Sequence, residues 1–360
     1  MVTLYLASIK AFAGKTLLSV TLGLDAQQRG QRVQYFLPVG PHPITVNGTV
    51  TDADALHVAQ FLHLETPPDV LCPVPLTDAF QRKVLDGSMP PLLPKVLSAY
   101  ERLANDADVL IVGGNGSLFT SGISYGLPSW ELADAFDART LVVCRYKPER
   151  TVDELLGAKH LLGERMIGTV INAVRADHIE LVKTKVAPFL ERQGVPVLGV
   201  LPQEPLLHAI PVRNLKDGLD ARVLTGEDQL DQLVENFAIG AMTPDAAFTH
   251  FRRIPNKAVI TGGDRSDIIC AALETSLRAL VLTGGLEPAP RVLAEASCRK
   301  VPVLLVHQDT LSTVERIDSM LEHLRFRQPE KIECAKSIIT CCLDIERLWA
   351  LLGVKSAFPV

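Results

Sequence analysis

The chain has 360 residues, of which 47% are hydrophobic and 21% charged, with a net charge of −5. This is a folded globular composition with room for two or three cores. It lacks the basic blocks that nucleic-acid binding would need and any apolar run near the roughly eighteen residues of a membrane span, so neither partner is expected.

The first apolar run, Val2 to Ala7, carries no basic leader or cleavage site and reads as a strand rather than a signal peptide. It leads into Lys10-Ala11-Phe12-Ala13-Gly14-Lys15-Thr16 and then a helical segment, Leu17 to Gln28. Gly14-Lys15-Thr16 is the back half of a phosphate-binding loop. Such loops aim backbone N–H groups at phosphate oxygens, with a lysine on the terminal phosphates and a threonine hydroxyl on Mg²⁺. Ile9 stands where the standard loop has glycine, and Lys10 suits a variant, Lys-x-x-x-Gly-Lys-Thr. Ala13 belongs to the same turn. The other reading is an ordinary strand-to-helix turn with a solvated lysine.

Strand and helix then alternate. Arg32 to Val39 reads as a strand and Thr51 to Leu62 as a helix, with Asp52 and Asp54 at its start. Pro90 to Asn105 is helical, and Asp108 to Val112 is a strand ending in Gly113-Gly114-Asn115-Gly116. Thr140 to Cys144 (strand), Thr151 to Leu162 (helix), Met166 to Ile171 (strand), Ile179 to Gln193 (helix) and Pro196 to Leu201 (strand) follow. Continuously apolar strands indicate a parallel sheet with helices on both faces and ligands at the carboxyl ends of its strands. Gly14, Gly113 and Asn172 would share that rim.

A second unit is expected from Pro211, after which Asn214 to Glu227, rich in charge and glycine, reads as a surface or boundary segment. Ala258-Val-Ile-Thr261-Gly262-Gly263 recurs twenty-two residues later as Leu280-Val-Leu-Thr283-Gly284-Gly285. A third strand, Val301 to Val306, leads into His307-Gln308-Asp309-Thr310. Glycines there allow tight turns, or the helix N-termini form a shallow anion site, with Asp264 and Arg265 beside it. Arg265 either meets an anion or pairs with Asp267 or Glu274. Helix Ile268 to Leu277 is apolar on more than one face, more than three strands would cover, so another surface is expected there: either the first half of the same chain or a second copy in a symmetric homodimer. The seven cysteines show no Cys-x-x-Cys spacing. Cys144 and Cys270 read as buried thiols, and the vicinal Cys341-Cys342 pair beside Cys334, with no second pair or histidine cluster to support a redox or metal role, reads as ordinary thiols in a reducing, cytoplasmic setting.

These motifs together resemble a known pair of domains. The first half resembles the dethiobiotin-synthetase-like P-loop domain. The second resembles the DRTGG domain, through Thr261-Gly262-Gly263-Asp264-Arg265 and Thr283-Gly284-Gly285-Leu286-Glu287-Pro288. In this order they resemble the N-terminal regulatory region of long bacterial phosphate acetyltransferases. The resemblance implies α/β architecture, a P-loop parallel-sheet domain at 1–210 and a smaller α/β DRTGG-like regulatory domain at 211–360. Since the sequence stops at Val360, it also implies a free-standing relative without the acetyltransferase domain. Of the two covers for helix Ile268 to Leu277, it implies the second copy, in a homodimer. It assigns ATP or a related nucleotide to Lys10, Ala13, Gly14, Lys15 and Thr16, with Asn172 on the adenine edge and Mg²⁺ on Thr16 and Asp54. A second small ligand would take Thr261, Gly262, Gly263, Asp264, Arg265, Thr283, Gly284 and Gly285. Read alone, Asp54 suits a helix N-cap and Asn172 a turn.

Two departures bear on chemistry. Gly113 stands where the synthetase has its second magnesium carboxylate, and Leu37 where it has a substrate-binding lysine. Such interactions contribute roughly 2–4 kcal/mol each to a transition state. The expected function is therefore a nucleotide-binding regulatory protein. The alternatives are an ATP-dependent ligase of the dethiobiotin synthetase or cobyrinate diamide synthase type, and a structural partner for a separate metabolic enzyme.

Overall fold

A computed structural model describes residues 1–11, 13–322 and 329–354. Phe12 of the loop motif lies outside the described residues. The chain divides into two compact units, Met1–Gln203 with Phe326–Val360, and Glu204–Arg325.

The first unit opens with β1 (Val2–Ser8), α1 (Lys15–Gln28) and β2 (Val33–Phe36). A hairpin of β3 (Pro43–Val46) and β4 (Thr49–Asp52) turns at Asn47-Gly48, both at positive φ, and runs directly into α2 (Ala53–Phe61). An Asn-Gly pair between β-branched residues favours such a two-residue turn. The helix expected from Thr51 therefore starts at Ala53, because Thr51 and Asp52 are paired with Ile44 and Pro43. Next come α3 (Leu93–Ala104), β5 (Val109–Gly113), β6 (Arg139–Arg145), α4 (Thr151–Leu162), β7 (Met166–Val174) and β8 (Val197–Pro202). The six strands form one wholly parallel sheet in the order β8-β7-β6-β1-β5-β2. Leu4, Tyr5 and Leu6 of β1 and Leu110, Ile111 and Val112 of β5 are fully buried, as central strands covered on both faces require.

The second unit holds α5 (Val212–Leu219), β9 (Arg222–Thr225), β10 (Asn236–Ile239), α6 (Pro244–Phe251), β11 (Lys257–Gly262) and α7 (Ser266–Leu273). It ends with β12 (Leu277–Thr283), α8 (Pro290–Cys298), β13 (Val303–Leu305) and α9 (Thr310–Glu322). Its five-stranded sheet runs β9-β13-β12-β11-β10, antiparallel only between β9 and β13.

Three expectations need correction here. The segment 214–227 is not merely surface: Val212, Leu215 and Leu219, at helical spacing, bury one face of α5. The apolar residues of α7 do not await a partner. Ile268, Ile269, Ala272 and Leu273 are buried in a core shared with Ala247 and Phe251 of α6 and Val292 and Ala296 of α8, so the argument from them to a homodimer falls away. Cys270, on the same helix, is half-buried rather than buried.

The second unit also ends earlier than expected. Helices α10 (Pro329–Cys342) and α11 (Ile345–Leu352) belong to the first unit. The reason is α1, which buries Leu17, Leu18, Ser19, Val20, Thr21, Leu22, Gly23 and Ala26 on several faces and needs cover beyond the sheet. Trp349 Nε1 of α11 donates to Asp25 Oδ2 of α1 at 2.6 Å, and Arg29 pairs with Glu346.

Candidate functional site

The site is built at the carboxyl ends of β1, β5 and β7, where open parallel sheets place ligands. Ser8 closes β1, Ile9 and Ala13 are buried, and Lys10 and Ala11 are exposed. Gly14 caps α1 at φ 104° with no side-chain hydrogen bond to the first-turn amides. Those N–H groups are left facing outward from the helix N-terminus, the arrangement that favours an anion.

Lys15 lies at the base of this turn. Its ammonium donates to Ser8 Oγ at 2.5 Å and to the Gly116 carbonyl at 3.2 Å. Burial pulls its pKa down to about 8, partly opposed by the charge of Asp54. The loop after β5 is knit to the same turn: Ser117 Oγ donates to the Ile9 carbonyl at 2.7 Å and the Leu118 amide to Ser8 O at 2.7 Å. Thr16 stands in the first turn of α1.

Asn172 lies at the end of β7 and touches the loop. Its side-chain amide donates to Ala13 O at 2.8 Å, and its Oδ1 accepts from the Ala173 amide at 2.8 Å. One N–H of the amide remains for another acceptor.

Asp54 and Asp52 divide the roles that the sequence left open. Asp52 is the N-cap of α2: Oδ1 accepts from Asp54 N at 2.8 Å and Ala55 N at 3.0 Å, and Oδ2 from His42 N at 2.7 Å. Asp54, in the first turn of the helix, points elsewhere, and its Oδ2 lies 3.2 Å from His42 Nδ1. Burial raises the Asp52 pKa against the His42 and Ala55 amide donors, and the neighbouring Asp54 charge adds to the rise.

The two departures are also visible in space. A Cβ at Gly113 would lie 2.4 Å from the Tyr35 hydroxyl and 3.0 Å from Leu37 Cδ1. Both side chains are buried, and desolvation together with the Asp52 and Asp54 charges pushes the Tyr35 phenol pKa upward. Tyr35 and Leu37 thus fill the space that a side chain at Gly113 would need. Tyr35, His42, Asp52 and Ser8 were not singled out as site residues from sequence. Asn47-Gly48 was the signal that could have brought His42 into view, since the hairpin sets it beside Asp52.

In the second unit the two Thr-Gly-Gly turns meet. A Cβ at Gly263 would fall 1.6 Å from Leu286 O, so only glycine allows that approach. Gly284 and Gly285 have positive φ, and their amides donate to Gln308 O and Val306 O at 2.8 and 2.9 Å. Thr261 donates to Gly240 O at 3.2 Å, and the Thr283 and Thr310 hydroxyls lie 2.9 Å apart. Asp264 Oδ1 lies 2.5 Å from where a Gly262 Cβ would stand. Arg265 donates to Asp267 at 3.2 Å and to Met242 O at 3.1 Å.

The parallel sheet, the αL glycine and the lysine behind it define a P-loop α/β unit. The AAA domain family matches residues 2–210, and the chain belongs to that family; the DRTGG domain matches residues 214–320. Phosphate acetyltransferase of Synechocystis sp. is 26% identical over 96% of this chain and 51% of its own length. That of Pseudomonas aeruginosa is 27% identical over 93% of this chain and 50% of its own. The chain thus spans about half the length of the curated relatives it matches. A structure of the CBS and DRTGG domains from the regulatory region of Clostridium perfringens pyrophosphatase, complexed with diadenosine tetraphosphate, covers 40% of this chain and 71% of its own, with 17% identity and a TM-score of 0.28. The kinship with the N-terminal half of phosphate acetyltransferases expected from the motifs stands. Among the described residues no helix is long and apolar enough to cross a membrane.

Proposed function

We propose that the first unit binds ATP or a related purine nucleotide together with a divalent cation, and that the chain is a regulatory protein answering to that nucleotide. The observation that carries this reading is Lys15, whose ammonium rests on two neutral oxygens behind an uncapped helix N-terminus. A cation held this way, with its charge only partly offset, has more to gain from a phosphate than from its present partners. Ala13, Gly14, Lys15 and Thr16 would hold the phosphates, with Lys10, exposed at the loop's entry, as an added cation. Asn172 would use its remaining N–H on the base edge. Thr16 and Asp54 would hold the cation, which supplies charge neutralisation of the phosphates when bound.

Binding without ligase turnover is favoured because Tyr35 and Leu37 occupy the space at Gly113. The turns of the second unit, with Arg265 at their edge, would take a second small ligand, and the output would be a metabolic enzyme of the acetyl-transferring kind. Calorimetric titration with ATP, ADP, GTP and cyclic dinucleotides, with and without Mg²⁺, tests the reading. Purine nucleotide binding that is lost in a folded Lys15→Ala protein supports it. Equal affinity in both proteins sinks it.

A further inference from the structure

We propose that His42, Asp52 and Asp54 form a site for a divalent transition-metal ion of the Fe²⁺, Co²⁺ or Zn²⁺ class, beside the phosphate loop. It deepens the nucleotide reading by naming the cation at Asp54, and rests on that reading only in taking Asp54 as a cation ligand.

One ligand atom from each of the three residues lies within 4.8 Å of the others. His42 Nδ1 and Asp54 Oδ2 are 3.2 Å apart. An ion about 2.1 Å from both would subtend an angle of about 100°, between the octahedral and tetrahedral values. To complete the shell, the third atom must stand about 3.0–3.4 Å from the other two.

The backbone presets this arrangement. His42 N donates to Asp52 Oδ2, and Ala53 N donates to His42 O at 3.0 Å, so the chain before β3 is bound to the start of α2 on both sides of His42. Asp54 then follows in the first helical turn, on the side facing the imidazole. Asp52 Oδ2 accepts the His42 amide, and a carboxylate oxygen has two lone-pair directions. A Cβ at Gly40 would lie 2.5 Å from Asp52 Cβ and 2.9 Å from its Oδ2, so glycine lets the backbone close around this carboxylate.

The donor set decides the ion. Mg²⁺ prefers oxygen ligands and keeps most of its water. An imidazole nitrogen with two carboxylates suits first-row ions that accept both donors, with affinity rising toward Co²⁺ and beyond. The remaining positions stay open to water or to phosphate oxygens of a neighbouring nucleotide.

The test titrates the full-length chain with CoCl₂ in the absence of nucleotide, followed by visible absorption and calorimetry, with MgCl₂ in parallel. Asp52 caps α2, so the variants are His42→Ala and Asp54→Asn, each checked by thermal melting. One Co²⁺ per chain, bound at least about a hundredfold more tightly than Mg²⁺, is expected. Each variant should weaken Co²⁺ at least about tenfold at an unchanged melting temperature. No Co²⁺ binding, Mg²⁺ binding of equal strength, or an undiminished band in folded His42→Ala protein overturns the proposal. Lys15→Ala protein should keep its Co²⁺ while losing nucleotide, so failure of either reading is seen apart from the other.

Discussion

The side-chain amide of Asn172 donates to the carbonyl of Ala13 at 2.8 Å, which ties the end of β7 to the turn after β1. The same nitrogen lies 2.6 Å from where a Cβ on Gly14 would stand, and Gly14 sits at φ 104°. Glycine is required there twice, by backbone conformation and by the approach of Asn172. Gly14→Ala should therefore lower stability by about 1–3 kcal/mol and remove nucleotide binding. Asn172→Ala should be milder, about 1 kcal/mol, with nucleotide affinity down about tenfold because Ala13 O loses its partner. Urea unfolding and calorimetry on the two proteins check the order. A Gly14→Ala protein as stable as the parent would contradict it.

Lys15 makes the binding pH-dependent. Its pKa stands at about 8, below the ordinary 10.5, because burial disfavours the charged form. Arriving phosphate draws it back up, so binding above pH 8 must take up a proton. At pH 8.5 calorimetry in two buffers of different ionisation enthalpy should find about 0.75 proton taken up per nucleotide, and almost none with Lys15→Arg. Without nucleotide the sign runs the other way. The unfolded chain binds more protons than the folded one between pH 8 and 10.5, so the contribution of Lys15 to stability rises with pH across that window. Lys257 and Lys331, also lowered to about 8 by burial, act in the same direction. Lys15→Met should flatten part of that rise.

What the sequence made legible follows from which forces are local. The parallel strands announced themselves as apolar runs, and Gly14-Lys15-Thr16 was legible because a phosphate loop is one contiguous turn. The kinship of both halves was legible for the same reason, since Thr-Gly-Gly turns are short. The hairpin at Asn47-Gly48 carries its own local signal, which the helix-like start at Asp52 and Asp54 masks. The cost was His42, whose nearness to Asp54 depends on that hairpin. Tyr35 was hidden for a different reason: it reaches Gly113 across two neighbouring strands. The return of α10 and α11 to α1 was likewise a matter of tertiary burial, which no window of sequence contains.

Gly113 gives a test of whether the missing carboxylate can be restored. Tyr35 and Leu37 already occupy its space, so Gly113→Glu should not regain ligase chemistry and should unfold the first unit at lower denaturant. Gly113→Ala isolates the steric part, with an expected loss of about 1–3 kcal/mol. Tyr35→Phe removes the oxygen that a Cβ would meet at 2.4 Å, leaving Cζ at 3.3 Å. The Tyr35→Phe, Gly113→Ala double variant should recover about half of the loss, a coupling that a double-mutant cycle by urea unfolding measures. Strict additivity would mean that Tyr35 is not what excludes a side chain at Gly113. No variant in the series is expected to make dethiobiotin from diaminopelargonate, CO₂ and ATP.

The C-terminal helices give the last test, through Trp349. This side chain is buried, and its Nε1 donates to Asp25 Oδ2 at 2.6 Å. The same carboxylate oxygen accepts from Arg29 Nε at 2.6 Å, and Arg29 also holds Glu346. Asp25 thus joins a residue of α11 to the end of α1, the helix that carries Lys15 at its other end. Between α10 and α11, Leu343 bridges to Gly199 on β8, an edge strand of the sheet, where an uncovered edge would invite pairing with another chain. Trp349→Ala removes a large buried ring as well as the hydrogen bond and should cost about 3–5 kcal/mol. Trp349→Phe keeps most of the ring and should cost about 1 kcal/mol, chiefly the lost indole hydrogen bond to Asp25 Oδ2, which still accepts from Arg29 Nε. Because Trp349 belongs to the first unit, the loss should fall on the first unit's unfolding transition and leave the second unit's in place, which calorimetry resolves when the two unfold separately. If Trp349→Ala lowers only the transition of residues 204–325, or neither, then α11 does not stabilise the nucleotide-binding unit in solution.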